Sequence, residues 1–150
     1  TDAYVHDEVA FNYRMSNVNA AIGLAQFERI DEMLTRRKAI AEAYRSLLEG
    51  SNRLRFMPKM DWADPNGWLS AVHCASTDDA TALLAEMNAA DIDARLFWES
   101  LSAQPPFADC GHTLSGVSRE LTGRMVTLPC SSSLDDEGLQ RVLTVLENWR

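Results

Sequence analysis

The feature that most constrains this chain is a run of apolar side chains at three- and four-residue spacing, from about Asn17 to Gly50. Ala20, Ala21, Ile22, Leu24, Ala25, Phe27, Ile30 and Leu34 make one stripe; Ile40, Ala41, Ala43, Tyr44, Leu47 and Leu48 make a second. That period lays them along one side of a long helix. Ser16 or Asn17 is placed to cap its first free N–H groups, and Gly50-Ser51-Asn52 stops it. The rest of the chain is then expected to pack back onto that side. The small residues Ala20, Ala21, Gly23 and Ala25 would admit another helix or backbone closely, and core packing explains them equally well; Gly23 costs about 1 kcal/mol relative to Ala in a helix interior, so some close contact is expected to offset it. Between the stripes, Thr35-Arg36-Arg37-Lys38 reads as a phosphate clamp or, more strongly, as a solvated face pairing with Glu28, Asp31, Glu32 and Glu42.

Past the helix the periodicity changes. Leu54 to Pro58 reads as a short strand ended by proline, Asp61 to Gly67 as a turn, and Trp68 to Cys74 as a better strand. Ser76-Thr77-Asp78-Asp79 caps a helix from about Asp78 to Ala90 that buries Leu83, Leu84 and Met87. Ile92 to Trp98 reads as a third strand and Val126 to Pro129 as a brief extended segment. Ser102 to Leu114 has no period and is a loop, the expected place for a site in this half. A short helix is expected over Ser118 to Gly123. A last helix is capped by Ser132 or Ser133, has Asp135 and Asp136 in its first turn, and buries Leu139, Val142, Leu143, Leu146 and Trp149. This order predicts an α+β fold, a long N-terminal helix with a small, mainly antiparallel sheet and helices packed on one face.

The 150 residues fit one domain, and 46% hydrophobic residues suffice for a core. A net charge of -8 argues against a nucleic-acid surface. No apolar run is long enough to span a membrane. Cys74, Cys110 and Cys130 are far apart, with no metal-ligand spacing; reduced thiols in a cytoplasmic protein, without structural zinc, are expected. Cys74 and Cys130 read as buried small hydrophobes. His6, His73 and His112 form no catalytic set: His73 reads as a packed strand residue, His112 as a loop residue open to either role. Of the two lysines, Lys38 lies in the solvated helix run and Lys59 beside a strand-ending proline, and neither setting would desolvate an amine and lower its pKa. The chain begins at Thr1 in polar sequence, which reads as the downstream part of a longer protein. No catalytic residue and no metal ligand is assigned.

The sharpest motif is His6-Asp7-Glu8-Val9-Ala10-Phe11-Asn12-Tyr13-Arg14-Met15-Ser16-Asn17, running on through Ala20-Ala21-Ile22-Gly23-Leu24-Ala25-Gln26. The segment before it, Tyr4 to Val9, alternates as an extended stretch would. With Arg36-Arg37, Tyr44, Arg95-Leu96-Phe97-Trp98, Gln104-Pro105-Pro106-Phe107-Ala108-Asp109-Cys110 and Leu128-Pro129, the motif resembles the nucleotide-sugar aminotransferases of the DegT/StrS type, pyridoxal-phosphate enzymes of fold type I. The resemblance covers nearly the whole chain. Trp68-Leu69 and Trp98 look most like members acting on UDP- or GDP-linked keto-sugars for surface polysaccharide.

The resemblance implies that residues 1–150 are the small C-terminal domain, with the interdomain helix over about 17–50, and that the large cofactor domain lies upstream and is not in this chain. It implies transfer of an amino group from glutamate to a nucleotide-linked keto-sugar by a homodimer. Asn12 would reach the phosphate of pyridoxal 5'-phosphate in the partner subunit. An Asn amide and a helix N-terminus both suit a phosphate. Arg14 would brace that loop or contact substrate; an ion pair with Glu8 or Asp7 stands beside that reading. Trp98, Ser102 and Phe107 would line the substrate site. Ala10 stands where the family usually has Gly, and Ser102 where close relatives tend to have His. The lysine that bonds the cofactor lies upstream in the family, so the chain alone is expected to be inactive and not to hold the cofactor. A sugar dehydratase with histidine in place of that lysine, and a non-catalytic helical interaction module, are the alternatives.

Overall fold

The structure, a computed structural model, describes residues 11, 13–113 and 115–150. The extended reading of Tyr4 to Val9, and His6, Ala10 and Asn12, lie outside the described residues. The chain forms two compact units that meet in sequence between Glu32 and Met33.

Helix α1 runs Asn17–Phe27, and Ser16 caps it by accepting from the Asn19 N–H at 3.2 Å. The single helix expected to Gly50 is in fact two, because α2 starts at Ile30 and runs to Leu47. The break lies at Glu28 and Arg29, where the Arg29 N–H bonds the carbonyl of Gln26, three residues back, at 3.2 Å. No Gly or Pro marks the spot, so the apolar spacing runs through it unchanged. Gly50, at φ +76°, follows α2 in a left-handed conformation that only glycine adopts without strain.

The second unit is built on a four-stranded antiparallel sheet of order β1-β2-β4-β3, formed by Leu54–Phe56, Ser70–Cys74, Arg95–Leu96 and Met125–Leu128. The third strand is two residues long, much shorter than the expected 92–98. The brief extended segment near 126 is an interior strand that pairs on both sides. The register pairs Leu54 with Cys74, Phe56 with Val72 and Val72 with Val126, so these share one face. Arg55, His73 and Met125 share the other.

Helix α3 (Thr77–Ala89) packs on β2 and β4 and against α5 (Asp136–Glu147). Ser76 caps α3 through the Asp79 N–H at 3.0 Å. Asp135, rather than Ser132 or Ser133, caps α5, accepting from the Gly138 N–H at 2.8 Å. A carboxylate at that end also meets the positive pole of the helix, which a hydroxyl does not exploit. One core joins Ile40, Tyr44 and Leu48 of α2 to Leu54, Val72 and Val126 of the sheet, Leu83 and Met87 of α3, and Val142, Leu146 and Trp149 beyond and within α5. Leu84, Leu139 and Leu143 are half-buried at its edge, and Val145 is a core residue that the spacing argument did not select. Two contacts tie the elements: Tyr44 Oη donates to the Pro129 carbonyl at 2.8 Å, and Trp149 Nε1 donates to Glu86 at 2.6 Å.

The basic run on α2 is not simply a solvated face. Arg36 donates to the Leu134 carbonyl through Nε at 2.9 Å and to Asp136 through Nη1 at 2.8 Å. Lys38 bonds Asp64 at 2.7 Å. Both partners come from distant sequence rather than from the same helix. Gly67 approaches α2 closely: at φ +66° it would put a Cβ 3.0 Å from the Arg37 carbonyl oxygen, so a side chain there has neither room nor a relaxed backbone.

Candidate functional site

The sheet delivers its edge strand β3 into Phe97 and Trp98, whose rings meet edge to face with centroids 5.2 Å apart. The chain then makes two 3-10 turns, Leu101–Ala103 and Pro105–Phe107, and Pro105 and Pro106 supply the fixed φ that such a turn needs. A loop follows, and helix α4 (Val117–Leu121) leads back to β4.

Between the first 3-10 turn and α4 lies an open cavity of about 600 Å³. Glu99, His112 and Arg119 line it together with the hydroxyls of Ser100, Ser102 and Ser118. The Ser100 and Ser102 hydroxyls bond one another at 2.8 Å. His112 Nδ1 lies 3.1 Å from the Cys110 carbonyl oxygen. A carbonyl only accepts, so Nδ1 carries the proton in that contact, and neutral His112 keeps Nε2 as an acceptor.

Of the residues selected from sequence, Ser102 is in this cavity. Trp98, 67% exposed, and Phe107, 41% exposed, are on the same stretch but do not line it. Arg14 is exposed in the stretch before α1, in the other compact unit. Asn12 is outside the described residues. Sequence reasoning left His112 undecided and did not find Glu99 or Arg119. They lie far apart along a stretch with no period, and only the return of α4 toward the first 3-10 turn groups them.

A second, smaller cavity of about 150 Å³ lies between α2 and the 57–67 loop, with Lys38, Arg45 and Lys59 among its lining residues. Two of those cations are engaged. Lys38 bonds Asp64 and, by that hydrogen bond, holds its carboxyl below the usual carboxylate range. Arg45 pairs with Glu42 at 3.4 Å, donates to the Met57 carbonyl and lies over the Phe56 ring. This makes a structural cluster rather than a phosphate clamp.

The thiols do not join either cavity as reactive groups. Cys74 is buried, and burial, followed by nearby Asp79, pushes its pKa up to about 11. Cys130 is half-buried rather than buried, with Sγ 3.0 Å from the Trp68 carbonyl, and Cys110 is exposed. Among the described residues no group of three or more His, Cys, Asp and Glu side chains could hold a metal ion. No helix among them is long and apolar enough to cross a membrane.

The model of the DegT/DnrJ/EryC1/StrS aminotransferase family matches residues 1–147. The EpsN protein of Bacillus subtilis (strain 168) is 35% identical over 150 residues, which cover 95% of this chain and 38% of EpsN. The GDP-perosamine synthase of Vibrio cholerae is 30% identical, over 97% of this chain and 40% of that protein. Among solved structures, AtS13 from Actinomadura melliaura superimposes with a TM-score of 0.82 at 27% identity, over 97% of this chain and 38% of its own. DesV of S. venezuelae superimposes with a TM-score of 0.84 at 21% identity. The chain thus spans about two fifths of the length of the relatives it matches.

Proposed function

The chain belongs to the DegT/DnrJ/EryC1/StrS aminotransferase family, and on that premise we propose that it is the C-terminal small domain, with its interdomain helix, of a pyridoxal-phosphate-dependent aminotransferase. The whole enzyme moves an amino group from glutamate to a nucleotide-linked keto-sugar destined for surface polysaccharide, as a cytoplasmic homodimer. The observation that carries this reading is a family match along nearly the whole chain by a sequence covering only 38 to 40% of its relatives.

Pyridoxal phosphate is the cofactor this reading implies, and the described residues do not make a seat for it. An amine that bonds the cofactor must be desolvated or otherwise lowered in pKa. Lys38 is on an exposed surface, tied to Asp64 at 2.7 Å, and Lys59 is exposed. On this reading the chain alone neither holds the cofactor nor catalyses the transfer. Its part lies on the substrate side. Trp98 and Phe107 offer ring faces to a sugar or a base, and Ser102 offers a hydroxyl. Arg14 carries a fork suited to a phosphate. Asn12 is assigned to the cofactor phosphate of the partner subunit.

The test is the coding sequence upstream of Thr1, followed by assay of the protein it encodes. An α/β domain with a lysine upstream, and glutamate-dependent amination of a GDP- or UDP-linked keto-sugar seen by mass spectrometry, are expected. A histidine in place of that lysine would convert the reading to a dehydratase. A start codon near Thr1 would overturn both and leave a non-catalytic interaction module.

A further inference from the structure

We infer that the cavity between the first 3-10 turn and α4 seats the sugar ring of the substrate and not its diphosphate, an assignment that rests on the nucleotide-sugar reading above. Its volume, about 600 Å³, is within the roughly 300–1,000 Å³ of small-molecule sites. The charges decide between the two parts of the ligand. A diphosphate calls for several convergent cations. Here the lining offers the single guanidinium of Arg119, offset by the carboxylate of Glu99.

What the cavity has instead is hydroxyls. Ser100, Ser102, Thr113, Ser115 and Ser118 all contribute to its wall. A hydroxyl both donates and accepts, as each hydroxyl of a sugar does. In the Ser100–Ser102 pair one hydroxyl donates to the other, so one O–H of the two is left to donate outward whichever way the pair is arranged. Nε2 of neutral His112 adds an acceptor, fixed in tautomer by the bond from Nδ1–H to the Cys110 carbonyl. Glu99 is a second acceptor and Arg119 a second donor. The set can recognise a neutral, polyhydroxylated ring from several sides. On this assignment Glu99, His112 and Arg119 are specificity-determining residues for the sugar.

The experiment is a titration of the 150-residue chain, labelled for NMR, with D-mannose and separately with inorganic pyrophosphate. Mannose is expected to shift the His112 ring and Ser102 amide signals, and pyrophosphate to leave them in place. The His112→Phe variant should weaken the mannose response about threefold to tenfold, as loss of one neutral hydrogen bond does, with the rest of the amide spectrum unchanged. Thr113→Val, on the same loop, should weaken it less. Shifts with pyrophosphate and none with mannose would assign the cavity to the diphosphate. No response to mannose up to about 50 mM, a range that covers the weak affinity of a small neutral ligand, would overturn the assignment, as would an undiminished response in His112→Phe. Such a failure beside intact amination by the full-length protein removes only this inference. A sugar response beside absent amination removes only the aminotransferase reading.

Discussion

Helices α1 and α5 are near equals in size, 11 and 12 residues. Each is capped by a side-chain oxygen that accepts from a backbone N–H three residues on. Their compositions are opposite to their burial. Asn17–Phe27 has no ionisable side chain, yet none of its residues is buried. Asp136–Glu147 carries Asp136, Glu137, Arg141 and Glu147, yet buries Val142, Val145 and Leu146. Hydrophobicity alone therefore does not place a helix against a core; the arrangement of apolar and polar positions around it does. In α5 the polar positions fall together and leave one apolar stripe. In α1 apolar and small residues are spread around the circumference, the pattern of a helix covered on more than one side. That pattern suits the proposed place of α1 between domains of a larger dimeric enzyme.

The largest expected effect separates the two helices directly. Leu146→Ala should cost about 2–5 kcal/mol of stability, because it opens a cavity in a closed core. Ile22→Ala, at an exposed position of α1, should stay within about 0.5 kcal/mol. Urea unfolding of dilute protein measures both. A comparable loss in Ile22→Ala would mean that α1 is covered in the isolated chain, and the comparison would fail. Next in size is Glu86→Ala. It leaves the Trp149 indole N–H, at a residue 6% exposed, without its acceptor, and should cost about 1–3 kcal/mol. Nothing on α1 offers a counterpart. The caps come third. Asp135→Ala should lower global stability by about 1 kcal/mol. Ser16→Ala should reduce helicity at α1, read by hydrogen exchange, while the urea midpoint of the second unit stays in place.

The parts of this fold that were legible in the sequence are those where one local period met one partner. The α3 cap at Ser76 and its buried Leu83 and Met87, and the antiparallel sheet with helices against it, follow from spacing alone. The break at Glu28 and Arg29 was not legible, since it comes from one shortened hydrogen bond with no residue type to mark it. The role of Met125–Leu128 as an interior strand was not either, because four residues show too little alternation to say how many neighbours they have. The site divides the same way. Ser102 was reached through a resemblance and lies in the cavity, but Glu99 and Arg119 are neighbours only by tertiary return of the chain. Arg36 and Lys38 looked like surface charge because their partners, the Leu134 carbonyl and Asp64, are remote in sequence.

The smallest effect is also the most selective, because it can act on one unit alone. His73 lies half-buried on β2, and its Nε2 has no hydrogen-bond partner among the described residues. Burial lowers its pKa first, and the guanidinium groups of Arg124 and Arg55 lower it further, Glu120 opposing them. The native state therefore binds the His73 proton less readily than the unfolded chain, whose imidazole titrates near 6.5. Stability from this group is fully present above about pH 6.5 and is lost as pH falls through the lower, folded pKa. The carboxylates of Asp64 and Asp79, both held below the usual range by hydrogen bonds from Lys38 and Arg53, lose their contribution only at more acid pH. As pH falls from about 6.5 through the folded pKa of His73, and before the carboxylates titrate, the urea midpoint of the cored unit should decline, and His73→Gln should flatten the decline. Helix α1, with nothing to titrate between Asn17 and Phe27, should keep its exchange protection across the same range. An equal loss of protection in α1 would show that its stability is borrowed from the sheet and would dissolve the contrast between the two helices.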